Sequence, residues 1–303
     1  MGTKPRIGYI GVGLMGHGAA RNILERGGYP LTIMAHRNRE PVDDLVRRGA
    51  VEAASPAAVA AASDIVFLCL PSSVEVEATM RGENGLLGAM RNGMILVDST
   101  TADPGVTRRL GAELAARGCG MVDAALGRTP REAEAGKLST YVGGDPATIE
   151  TVRPILECYA DTIVVCGGLG AGTTCKLVNN SITIGMCAVI AEGLATAAKL
   201  GVDMEAQAAV LSAGGADGRM WQMMKPWLLE GDDGHLKGPL RIAAKDVRFY
   251  NRMAEEAGIA TFISQAVNQT YRMALNHGHA DRYMPVLPGI LAALNGARLR
   301  EFG

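Results

Sequence analysis

Short apolar runs punctuate the first half of the chain, at residues 7–10, 31–35, 65–70, 95–98 and 120–123. They read as buried strands, because near-continuous apolar runs mark strands covered on both faces. Between most of them lie Ala-rich segments of helical period, such as 56–62 and 105–117. Alternation of strand and helix predicts an α/β fold, a doubly wound parallel sheet with helices on both faces. Residues 141–142 and 163–165 are candidates to extend that sheet.

The character changes after Gly167-Gly168. Residues 176–199 read as one long helix, ended by Gly201, and further helices are expected at 204–211, 220–229, 242–256, 264–276 and 284–294. With no convincing strand in it, the second half is expected to be all-helical. A length of 303 residues suits about two domains, placed at 1–167 and 168–303. There is no internal repeat and no low-complexity linker.

Hydrophobic residues make up 48% of the chain, ample for two sizeable cores. The balance of 30 basic and 31 acidic residues, net −1, gives no electrostatic reason to expect a nucleic-acid or anionic-membrane partner. Aromatics, at 4%, are too scarce for base-stacking platforms. Cys69, Cys119, Cys158, Cys166, Cys175 and Cys187 form no C-x-x-C pair, which predicts reduced thiols in a cytoplasmic protein. The histidines lack metal-ligand spacing, so no metal is expected, and His277-Gly278-His279 reads as a polar loop. Residues 1–5 lead straight into a strand pattern, so no signal peptide is expected. Met1-Gly2 suits a myristoylation start, but position 6 is Arg6 rather than Ser or Thr. The most apolar stretch, 177–191, contains Asn179, Asn180 and Ser181 and reads as too short and too polar to span a bilayer.

Gly11-Val12-Gly13-Leu14-Met15-Gly16 follows the first strand and opens a helix over 14–24. That placement makes a weak pattern into a dinucleotide cradle. Gly11 permits the tight turn, Gly13 lets backbone approach a pyrophosphate, and Gly16 permits close helix–strand packing. The helix N-terminus adds free N–H groups and partial positive charge. An acidic residue at the end of the second strand binds the ribose hydroxyls in NAD enzymes. Here that segment is Ala35-His36-Arg37-Asn38-Arg39, with no carboxylate and with Arg37 placed to clamp a 2′-phosphate. NADP(H) is therefore favoured, with NAD(H) as the alternative.

Leu70-Pro71 ends one strand and Asp98-Ser99-Thr100-Thr101 the next, at carboxyl ends where open α/β sheets bind ligands. The hydroxyls of Ser99, Thr100 and Thr101 suit a polar substrate or the nicotinamide ribose; each equally suits an ST-turn or a helix cap. Lys176, Asn179 and Asn180 lie three and four apart, so a helix projects them from one side. Among Leu177, Val178 and Ile182 the lysine is expected to be half-buried at the domain junction. Burial lowers an ammonium pKa toward the range useful for protonating a carbonyl oxygen. Asn180 is placed to hold lysine and substrate oxygen in line.

Residues 8–16, Leu70-Pro71, residues 98–101, Asp123-Ala124, Gly136-Lys137-Leu138, Gly143-Gly144, Gly170-x-Gly172, Lys176-x-x-Asn179-Asn180 and Lys245-Asp246 together resemble the β-hydroxyacid dehydrogenases. That family includes 3-hydroxyisobutyrate dehydrogenase and tartronate semialdehyde reductase, and the resemblance covers nearly the whole chain. It implies a Rossmann domain, a long interdomain helix, a helical C-terminal domain, and a homodimer or higher homo-oligomer. It also implies that Lys176 is the catalytic acid/base and that Lys245 lies near the cofactor.

The chain departs from the family twice. Many members carry an Asp-x-Pro-Val-Ser-Gly-Gly substrate loop; here it is Asp123-Ala124-Ala125-Leu126-Gly127-Arg128-Thr129-Pro130. Gly127 stands at the serine position and Arg128 has entered, a form that resembles the sulfolactaldehyde reductase branch. Arg128 suits a carboxylate or sulfonate; it equally suits pairing with Glu132 or Glu134 on the next turn. Gly127, Arg128, Thr129, Ser99, Thr100 and Asn179 are the candidate substrate residues. The family also often has an aromatic residue before the Lys-Asp pair, and residues 235–241 have none. Trp221 and Trp227 either compensate or belong to the core.

The expected reaction is NADPH-dependent reduction of a small anionic aldehyde to a β-hydroxy acid or its sulfonate analogue, or the reverse oxidation. Two rivals are a reductase of imines or bulkier carbonyls and a non-catalytic NADPH-binding protein. In such relatives the lysine is typically replaced, whereas Lys176 is retained here.

Overall fold

The computed structural model of the protein describes residues 3–299. Two compact units, Met1–Lys176 and Leu177–Gly303, divide the chain. The first runs β1 (Ile7–Ile10), α1 (Gly16–Glu25), β2 (Leu31–Met34), α2 (Glu40–Arg47), β3 (Val51–Ala53), α3 (Pro56–Ala61), β4 (Ile65–Leu68), α4 (Ser73–Arg81) and α5 (Leu86–Ala89). It continues through β5 (Ile95–Asp98), α6 (Pro104–Ala115), β6 (Gly120–Gly127), α7 (Pro130–Glu134), β7 (Leu138–Gly144), α8 (Pro146–Leu156) and β8 (Ala160–Gly167). The boundary between the units falls inside the next helix, α9 (Ala171–Lys199).

The eight strands form one sheet in the order β3-β2-β1-β4-β5-β6-β7-β8. The pairs from β3 through β6 are parallel, β7 is antiparallel to β6, and β8 is parallel to β7. The sheet is therefore mixed rather than wholly parallel. Only residues 128–137, with the five-residue α7 among them, join β6 to β7, too little chain for the crossover that a parallel neighbour needs. Every residue of β1 and β4 is buried, and Tyr9 stacks on Phe67 at 5.8 Å across them.

Local sequence starts many of the helices. Ser55-Pro56, Asp103-Pro104, Thr129-Pro130 and Asp145-Pro146 each place a capping residue before a proline at the first helical position. Register aligns the strand ends. Ile10 pairs with Met34 and Leu68, Leu68 with Asp98, and Asp98 with Asp123. The loops after β1, β2, β4 and β5 thus leave the sheet from one row. β6 alone continues past that row, to Gly127, because β7 pairs with it that far.

Asp123, fully buried, fixes where α9 begins. Its carboxylate accepts the Gly170 N–H and the Thr173 N–H, each at 2.6 Å. The helix therefore starts at Ala171 instead of the expected 176. Burial pushes the Asp123 carboxyl above the usual range, and the two amides offset this in part.

The second unit holds the rest of α9, then α10 (Met204–Ala213), α11 (Arg219–Glu230), α12 (Leu240–Glu256), α13 (Phe262–Asn276), a 3-10 turn (Met284–Val286) and α14 (Leu287–Leu294). Ile184, Ala191, Trp227, Val247, Tyr271 and Ile290 lie in its main core. Trp221 is also buried, with Nε1 donating to Ser212 Oγ at 3.0 Å. Both tryptophans are core residues. At 29 residues and mean hydropathy 1.6, α9 is long and apolar enough by length and composition to cross a membrane. Core helices pass the same test, and α9 contributes Ile184, Ala191 and Leu194 to the buried cores.

Replacing Asp123 by Ala leaves two N–H groups without their acceptor. Urea unfolding should show a loss of about 2–4 kcal/mol. An unchanged midpoint would contradict the anchoring role.

Candidate active site

The Rossmann-side candidates from Gly11 to Thr101 lie at or just beyond the row of strand ends, whereas Gly127, Arg128 and Thr129 lie at the far end of β6. Gly11 has φ +102°, in the left-handed region open to glycine. A Cβ there would overlap the Cys69 carbonyl oxygen, and one at Gly16 would overlap the Gly11 carbonyl oxygen. Gly13 differs, because a Cβ on it would meet nothing within 4 Å. The open side of the turn therefore lies over Gly13, between the buried Val12 and the exposed Leu14. The N-cap of α1, Met15, makes no side-chain capping bond, so the first amides of that helix stay available to an anion. These features fit a dinucleotide pyrophosphate, at the point where strand order reverses between β1 and β4.

His17, in the first turn of α1, braces this helix. Its Nδ1 lies 2.7 Å from Glu134 on α7, and its Nε2 lies 3.0 Å from Asp44 on α2. The hydrogen bond from Arg48, with a smaller contribution from His17, holds the Asp44 carboxyl down at about 2. The sequence reading missed His17, a residue whose partners come from two other helices.

Past β2, His36, Arg37 and Asn38 are exposed. Arg39 is held by Asp43 at 2.8 Å and Glu52 at 2.7 Å. Arg37 makes no ion pair among the described residues, and Asn38 Oδ1 accepts the Glu40 N–H at 3.1 Å at the start of α2.

Beyond β4 and β5, Thr100 Oγ1 accepts the Leu70 N–H at 3.0 Å, and the Thr100 N–H donates to Asp98 Oδ1 at 2.9 Å. Thr100 is thereby a brace between two loops, and it is buried. Ser99 is also buried, close to the buried Tyr159. Pro71 is exposed and Thr101 half-buried.

The loop after β6 carries Arg128 and Thr129. Arg128 adopts φ +73°, uncommon for a non-glycine residue. Its guanidinium donates to the Lys137 carbonyl, to Asp161 Oδ2 at 2.9 Å and to Thr162 Oγ1 at 3.1 Å. Among the described residues its ion pair is with Asp161, at 2.8 Å, rather than with Glu132 or Glu134. Asp161 is the extra residue at a register shift between β7 and β8, and such a bulge re-aims a side chain. Thr129 is likewise engaged, with its hydroxyl and N–H both donating to Glu132 in a capping box.

On α9, Lys176 and Asn180 are half-buried and Asn179 is exposed. Asn180 Nδ2 donates to Asp246 Oδ2 at 2.7 Å, and Asn179 Nδ2 donates to Asn180 Oδ1 at 3.2 Å. Asp246 also pairs with Lys245 at 3.0 Å, whose ammonium lies 5.5 Å from the Phe249 ring centroid. Asp246 orients Asn180, a role signalled in the sequence only by its place in the Lys-Asp pair.

A mostly parallel sheet with a phosphate cradle at its switch point defines a dinucleotide-binding fold of the Rossmann type. Residues 6–168 match the NAD-binding domain of 6-phosphogluconate dehydrogenase. Residues 170–285 match the NAD-binding domain of NADP-dependent 3-hydroxyisobutyrate dehydrogenase. The 2-(hydroxymethyl)glutarate dehydrogenase of Eubacterium barkeri is 34% identical, over 75% of each chain. Mitochondrial 3-hydroxyisobutyrate dehydrogenase of Mus musculus is 28% identical, over 93% of this chain and 85% of its own. The solved structure of a 3-hydroxyisobutyrate dehydrogenase from Salmonella typhimurium shares the fold, with a TM-score of 0.83 at 23% identity, covering 94% of this chain and 99% of that one. The chain belongs to the β-hydroxyacid dehydrogenase family and is an NAD(P)-dependent oxidoreductase.

Two outcomes follow. Gly13→Ala should keep the melting temperature yet weaken NADPH binding, read by fluorescence titration, while Gly16→Ala should lower both; equal behaviour would contradict the open-face geometry. Arg128→Ala should lower thermal stability while leaving the KM for an anionic aldehyde unchanged. A raised KM with unchanged stability would return Arg128 to substrate binding.

Proposed function

We propose that the chain uses NADPH to reduce a small anionic aldehyde, of the semialdehyde or sulfolactaldehyde type, to a β-hydroxy acid or its sulfonate analogue, and runs the reverse oxidation. One observation carries this reading. Asp123 fixes the first turns of α9, and with them Lys176, to β6 just where the Gly11–Gly16 cradle leaves the same row of strand ends. A bound nicotinamide supplies hydride to the carbonyl carbon. The Lys176 ammonium gives its proton to the carbonyl oxygen as charge builds there, and solvent restores it; in the oxidation Lys176 takes the proton. Asn180, oriented by Asp246, and Asn179 hold substrate oxygens. Ser99 directly follows the end of β5, and Lys245 serves the cofactor. The absence of a carboxylate after β2, together with the exposed Arg37, supports preference for the 2′-phosphate.

A second copy of the chain is the proposed partner, in a homodimer or larger assembly. Val178, Ile182, Met186 and Val189 form one exposed apolar stripe on α9.

The test is NADPH and NADH oxidation with succinic semialdehyde, tartronate semialdehyde, methylmalonate semialdehyde, sulfolactaldehyde and glyoxylate. Turnover faster with NADPH is expected, and Lys176→Ala should lower kcat by about 10²–10⁴-fold. Sedimentation of the same sample should give at least a dimer mass. No turnover while NADPH still binds would overturn the reading.

A further inference from the structure

We propose that the Tyr141 hydroxyl, reaching over Gly127 from β7, is the donor that binds the anionic group of the substrate. This rests on the reductase reading above.

The register places the groups. Gly127 pairs with Ser139, Ala125 with Tyr141 and Asp123 with Gly143, so Asp123, Gly127, Ser139 and Tyr141 share one face of the sheet. The same face receives the start of α9. A Cβ on Gly143 would lie 2.6 Å from the Gly168 carbonyl oxygen and 2.9 Å from the Ala171 nitrogen, and one on Gly172 would overlap the Tyr141 carbonyl oxygen. The helix thus advances over β7 from Gly143 toward Tyr141. Lys176 is one turn beyond Gly172 on the same stripe, and a helical side chain leans back toward the N-terminus. The lysine therefore reaches toward the end of β7 that carries Tyr141 and Ser139.

Gly127 is what lets the tyrosine in. A Cβ there would collide with Ser139 Oγ and lie 3.0 Å from the Tyr141 hydroxyl and 3.3 Å from its ring. Neighbouring polar groups are already engaged. Arg128 holds Asp161, Thr129 holds Glu132, and Thr100 holds Leu70. Tyr141 is half-buried and Ser139 buried, so the phenol is the group of this cluster that both faces the lysine end and stays open to a ligand. Its O–H is a strong donor to a carboxylate or sulfonate oxygen.

The test uses the full-length protein and the panel acid that the wild type reduces fastest, with a neutral aldehyde of the same chain length alongside. Tyr141→Phe should raise the KM for the acid by about 10- to 100-fold. The melting temperature, the NADPH KM and turnover of the neutral aldehyde should stay unchanged. The triple variant Gly127→Ser/Ser139→Ala/Tyr141→Phe, which moves a hydroxyl to the vacated position, should recover part of the loss. An unchanged KM in Tyr141→Phe, in an enzyme that Lys176→Ala inactivates, overturns the assignment to Tyr141 alone. Parallel losses with both aldehydes and in melting temperature also overturn it, in favour of a structural role. A wild type that reduces no panel member overturns the reductase reading itself.

Discussion

The carboxylate of Asp123 is the interaction on which the rest depends. It is buried, it ends the shared row of strand termini, and it accepts two amides from the start of α9. A buried carboxylate without such donors would be strongly disfavoured, and a helix start without an acceptor would leave orphan N–H groups. Each offsets part of the other's penalty, and the result is a fixed distance along the chain from the sheet to Lys176. The start of the helix that carries the lysine is therefore tied to the sheet through its backbone.

Around that anchor, polar groups divide into those that hold loops and those left for chemistry. Thr100, Arg128 and His17 have the types expected of ligand-binding residues, but their hydrogen bonds join loops or helices of the first unit, and Thr129 caps its own helix. Arg128 shows how this happens. Its backbone conformation is unfavourable for a side chain, and the guanidinium's contacts with Lys137, just before β7, and with β8 hold it there. Tyr141 and Ser139 lie on β7, a strand the chain reaches only by reversing direction.

What the sequence disclosed, and what it withheld, follows from the range of the interactions. β1 and β5 were readable to the residue because burial on both faces leaves continuous apolar runs. The cradle was readable because its turn and its close approaches are local to a few glycines. β3 escaped notice: three residues, Val51 and Glu52 among them exposed, carry no burial signal. The length of β6 and the direction of β7 were hidden because pairing sets them. The fate of Arg128 was hidden because its partner arrives 33 residues later on a bulge. The bond between Asn180 and Asp246 spans 66 residues, beyond any spacing rule.

The irregularities of this edge of the sheet are unevenly placed. β6 and β7 pair without a break from Val122 and Gly144 to Gly127 and Ser139, whereas both register shifts lie between β7 and β8. Moving β7 by one residue would turn Tyr141 and Ser139 to the opposite face. Residues 138–144 can therefore drift in identity over evolutionary time far more readily than in number. Insertions and deletions should accumulate instead in β8, where the ladder already absorbs extra residues.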